Sequence, residues 1–180
     1  MKIVVNGYGG AGTIEYGGRD YHQDPRPETD GKDFVIGQVI GASLEYAAQL
    51  GKPLMLYGFS DGSVSADDRE EDDGNGVTKF RWQSDSSQTA ASFILVYNPN
   101  GQPVLRNGAA SQQLGYFRDS GNVETSSSPF ANSVTQLAEM VVLNYLGLHG
   151  QEGTFGTVLN SPGLGTGAAV APYIAFESIV

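Results

Sequence analysis

Two charge-free apolar runs of strand length limit what this chain can fold into. They are Leu54-Met55-Leu56-Tyr57-Gly58-Phe59 and Ala91-Ser92-Phe93-Ile94-Leu95-Val96-Tyr97. A strand with one wet face alternates apolar and polar side chains, whereas a strand covered on both faces reads as a continuous apolar run. Both runs read as the second kind. The first is entered from a helix: Phe34, Ile36, Ile40, Leu44, Ala47 and Ala48 fit a helical period, with Asp30 or Asp33 as cap and Gly51 and Pro53 as terminator. Helix, short loop and buried strand make half of an α/β unit. The second run stops at Asn98-Pro99-Asn100-Gly101, a turn signal.

Other segments fill in the organisation. Residues 23–32, with two prolines and several charges, read as a loop before the first helix. Gly37 and Gly41, one turn apart on that helix, predict a close approach to a neighbouring backbone. A later helix starts at Ser133-Val134-Thr135-Gln136, which has capping-box form. Val134, Leu137, Ala138, Val141, Tyr145 and Leu148 recur along it at helical spacing. Gly147 and Gly150 end it, with His149 as a helix-end residue favoured by the dipole. The expectation is one α/β domain or half-domain over residues 1–180, built on a mainly parallel sheet flanked by helices. Residues 61–89 form a long polar loop in this reading, and residues 151–180 a Gly-rich tail. Within the tail, Ala168 to Val180 contains Pro172 and reads as an edge strand or an interface segment.

Composition removes several functions. Twenty acidic against ten basic side chains give a net charge of −10, with no basic stripe to hold a nucleic-acid backbone. An anionic membrane surface is disfavoured for the same reason, and no run approaches the ~20 apolar residues of a membrane span. The absence of cysteine excludes disulfides, thiolate nucleophiles, zinc fingers and iron–sulfur clusters. The first residues are too short in apolar character for a signal peptide. A divalent cation is the easier partner for so acidic a chain.

Glycine motifs carry less than their letters suggest. Gly7-Tyr8-Gly9-Gly10-Ala11-Gly12 has the spacing of the dinucleotide fingerprint. That fingerprint works because its last glycine opens a helix. Thr13-Ile14-Glu15-Tyr16-Gly17-Gly18 follows here and reads as strand and turn. Gly163-Leu164-Gly165-Thr166-Gly167 has no basic residue and reads as a flexible joint. The charge run from Asp67 to Asp73 invites calcium, but no register supplies the alternating oxygen ligands of an EF-hand, so a solvated loop is the plainer reading.

Three places attract more attention. In Gly17-Gly18-Arg19-Asp20-Tyr21-His22, Asp20 and one of the two histidines are two residues apart. In an extended chain they share one face and converge on a single point. Asp61 follows the first apolar run, and Asp85 shortly precedes the second. In α/β sheets ligands bind outside the carboxyl ends of strands, where the strand fixes the direction of a carboxylate. Each aspartate alone is an ordinary cap or turn former. Together, three carboxylates and a histidine beside strand ends read as a metal site.

The order of these segments resembles the carboxyl half of an uncharacterised, twin-arginine-exported bacterial family of the alkaline phosphatase and sulfatase superfamily. The likeness runs over roughly residues 9–159 and is most specific at Gly17–His22. It implies an α/β sandwich and a divalent-metal-dependent hydrolase of phosphoric or sulfuric esters acting outside the cytoplasm. By position it makes Asp20 and His22 metal ligands, gives Asp61 the place of the aspartate in the superfamily's Asp-His pair, and sets Asp85 near a further ligand. Gly62 stands where that pair has histidine, and the strand carrying the Ser or Thr nucleophile is missing. The resemblance therefore implies a fragment or reduced relative with little activity alone. Three carboxylates and one imidazole suit Mn²⁺, Mg²⁺ or Ca²⁺ better than Zn²⁺. The expected partners are a small anionic ester and either a second copy or a missing amino-terminal half. The alternative is a non-catalytic exported binding or assembly protein that uses its Gly/Ser-rich loops and carboxyl-terminal tail for subunit contacts.

Overall fold

The computed structural model describes residues 1–19, 26–59, 65–72, 78–83, 92–114 and 133–180. A single helical turn, α1 (Lys2–Val5), opens the chain, and α2 (Arg26–Gln49) is its longest element. Helix α2 starts earlier than the sequence suggests, so Asp30 and Asp33 lie inside it rather than at its cap. The cause is Pro27: proline suits the first turn of a helix, whose N–H groups have no partner in any case. The helix ends as expected. Gly51 takes a positive φ of 60°, its N–H donates to Ala48 O and the Lys52 N–H donates to Ala47 O, both at 3.0 Å. These two bonds satisfy carbonyls that would otherwise end unpaired.

The chain then reverses into β1 (Leu54–Phe59), which pairs with β4 (Ser92–Tyr97). The pairing is antiparallel, with Leu54 opposite Tyr97 and Phe59 opposite Ser92. No parallel pair occurs among the described residues, where the sequence reading expected a mainly parallel sheet. Parallel neighbours need a crossover that carries the chain back to its starting end, usually a helix. The segment between β1 and β4 instead contains a hairpin, β2 (Ser65–Asp72) and β3 (Thr78–Gln83). That corrects the reading of residues 61–89 as one long polar loop. The acidic run from Asp67 to Asp72 belongs to β2, an extended backbone rather than a wound calcium loop. By contrast, residues 13–18, read as strand and turn, form no strand.

Two apolar clusters hold the described residues. The smaller joins Val5, Ala47 and Leu54, with Leu44, Leu56 and Tyr97 against them, so α2 packs on the sheet through its carboxyl-terminal turns alone. Phe34, nearer its start, is 68% exposed. Among the described residues nothing lies within 4 Å of a Cβ built at Gly37 or Gly41, so none of them makes the close backbone approach expected there.

The larger cluster is centred on α3 (Val134–Leu148), where Met140, Leu143 and Leu146 meet Phe155, Leu164, Val170 and Ile174. Ser133 caps this helix, its Oγ accepting from the Gln136 N–H at 3.3 Å. Gly150 closes it, with φ 64° and the Gln151 N–H donating to Leu146 O at 2.8 Å. Gly147 sits inside the helix, where Ile174 occupies the space a side chain would need. Val134 and Tyr145, expected on the apolar face, are exposed.

The tail is no loose appendage. Short turns at Glu152–Thr154, α4 (Phe155–Val158), Gly167–Ala169 and Ala171–Tyr173 fold it back over α3. Phe176 then makes a single bridge to Leu105.

Candidate functional site

Asp20, His22, Asp61 and Asp85 all lie outside the described residues, as does Asp73 of the charge run. The described elements around them nevertheless fix where their segments start and stop. Phe59, the last residue of β1, is opposite Ser92, the first of β4. The segments bearing Asp61 and Asp85 therefore leave from and return to one end of the sheet.

Arg19 is the described residue that precedes Asp20 in the sequence. Its guanidinium carbon lies 5.9 Å from the centre of the Tyr16 ring, a cation–π arrangement. Its Nε is buried and has no hydrogen-bond partner among the described residues. Buried donors are paired in the great majority of proteins, so such a nitrogen is a place for an acceptor. The preceding residues, Gly17 and Gly18, have open space where a Cβ would stand, and Gly18 has φ 68°.

Elsewhere the polar side chains serve the scaffold. Arg106 Nη2 donates to Glu152 Oε1, its Nε donates to Phe176 O at 3.1 Å, and a Glu177 carboxylate oxygen lies 3.9 Å from Nε. The Arg106 hydrogen bond first, and a backbone N–H second, hold the Glu152 carboxyl below its ordinary range, with desolvation pulling the other way. Around this ion pair the Arg106 N–H donates to Ala175 O at 2.9 Å and the Glu177 N–H to Val104 O at 2.8 Å. Glu139 grips the glycine-rich segment, its two oxygens accepting from the Gly163 and Leu164 N–H groups at 3.0 Å each. The segment read as a flexible joint is thus pinned to α3. The His149 ring packs at 4.7 Å on Tyr145, consistent with a helix-end residue.

Among the described residues there is no group of three or more His, Asp or Glu side chains that could hold a metal. No helix there is long and apolar enough to cross a membrane. Arg106, Glu139 and Asn144 carry no sequence signal; each has hydrogen-bond partners at least two dozen positions away. No family model matches the chain, and comparison with curated proteins and with solved structures gives no match.

Proposed function

We propose that this chain is a part or a reduced relative of a divalent-metal-dependent hydrolase of phosphoric or sulfuric esters. In this reading Asp20, His22, Asp61 and Asp85 hold the metal, and the chain alone has little activity. The observation that supports it is the pairing of Phe59 with Ser92, which makes the stretch of chain carrying Asp61 and Asp85 leave from and return to one end of the sheet. The donor set of three carboxylates and one imidazole fits a hard cation that accepts mixed oxygen and nitrogen ligands. When bound, such a cation neutralises charge on the ester and lowers the pKa of a bound water. Arg19, whose buried Nε has no hydrogen-bond partner among the described residues, supplies a second positive group for the ester's anionic oxygens. The family likeness adds export from the cytoplasm.

Thermal unfolding with added Mn²⁺, Mg²⁺, Ca²⁺ and Zn²⁺, against a chelated sample, tests the reading. A metal at 100 times its dissociation constant adds about 2.7 kcal/mol of stability. The gain should vanish in His22→Ala. No shift with any of the four metals would end the proposal.

One observation favours the assembly reading. Phe59 and Phe93, near one end of the β1–β4 sheet, are 64% and 47% exposed. The tail, which that reading gave to subunit contacts, buries Val170, Ile174 and Ala175 within the chain. The sheet end adds exposed apolar surface to the loops and tail of that reading. Light scattering over a hundredfold concentration range distinguishes the two: a mass that rises with concentration in wild type and not in Phe59→Ser supports assembly.

A further inference from the structure

We draw no further inference here: the strongest candidate, the apolar patch of Phe93 and Leu95 that reaches solvent on one face of the β1–β4 sheet, is an unpartnered face, and nothing in the structure shows what covers it.

Discussion

The ring of Phe93 lies across the backbone of Gly58, its direct partner in the β1–β4 register, and fills the space that a side chain at 58 would need. Glycine weakens a strand because it brings no side chain to the cross-strand contact. An aromatic ring folded over it restores that contact and shields the ladder beneath. The same packing gives Gly58 a reason to be glycine although its backbone is ordinary strand. On the other face of the sheet, Tyr57 and Phe59 stack at 5.1 Å.

Gly58→Ala should therefore push the half-exposed Phe93 ring off the strand and cost about 0.2–1 kcal/mol, the worth of a cross-strand pair. Phe93→Ala removes the obstruction, so the double variant should lose less than the two single losses added together. Urea unfolding of the four proteins in a double-mutant cycle measures the coupling. Strict additivity would show that the ring does not rest on Gly58.

Asn144 carries a different kind of weight. It is 1% exposed, and its amide donates to Met140 O at 2.9 Å and Tyr173 O at 2.8 Å while its Oδ1 accepts from the Ala175 N–H at 2.7 Å. Two of these bonds pin the carboxyl-terminal segment to α3. Asn144→Leu keeps the branched outline, at a larger volume, but takes the acceptor from the buried Ala175 N–H, at a cost of about 1–3 kcal/mol. The expected result is a loss of at least that size and much faster amide exchange at Ala175. Slow exchange at Ala175 in the variant would mean that other contacts hold the tail.

Acid should loosen the same region at a second point. The folded-state pKa of Glu152 is depressed, chiefly by Arg106. Its contribution is thus present above the unfolded carboxyl pKa and is lost as pH falls through the folded value. The pair is partly exposed, so its worth is about 0.5–1 kcal/mol. Glu152→Gln should lower stability at neutral pH by that amount and flatten this part of the acid limb. Equal pH profiles for variant and wild type, followed by urea midpoint from pH 3 to 7, would contradict the assignment.

What could be read from the residues was what neighbouring residues decide. The Ser133 cap and the closing glycines 51 and 150 are local: each depends on a few backbone groups within one turn. The direction of α3's buried face is not local. Val134 and Tyr145 share the helical period with Leu137 and Val141, yet they stand exposed while Met140 and Leu143 are buried. A helix apolar on most sides leaves that choice to what packs on it, here a tail 20 to 30 residues downstream. The β2–β3 hairpin was hidden by its charges. The alternation Lys79-Phe80-Arg81-Trp82, followed back through Gly74-Asn75-Gly76, was its signal. The antiparallel sense of β1 and β4 follows from that hairpin and could not be read from the two apolar runs themselves. The proposed metal ligands, spread from residue 20 to residue 85, depend wholly on tertiary approach.

Arg19 offers a way to separate ester recognition from metal binding. Its buried Nε has no hydrogen-bond partner among the described residues, and the Tyr16 ring lies 5.9 Å from the guanidinium carbon. A phosphate or sulfate oxygen would accept from that nitrogen in a charge-assisted bond, worth about twice a neutral one. The chain's net charge of −10 opposes any anion, so binding should depend on this local cation. Inorganic phosphate should then raise the unfolding temperature of the wild type at constant ionic strength, and Arg19→Gln should lose most of that rise. The variant should still respond to divalent metal, because arginine is not a ligand. Arg19→Lys keeps the charge but not the fork of N–H donors, and should recover only part of the phosphate response. A phosphate response of equal size in wild type and Arg19→Gln would remove Arg19 from the site and leave the metal ligands to be judged on their own titration.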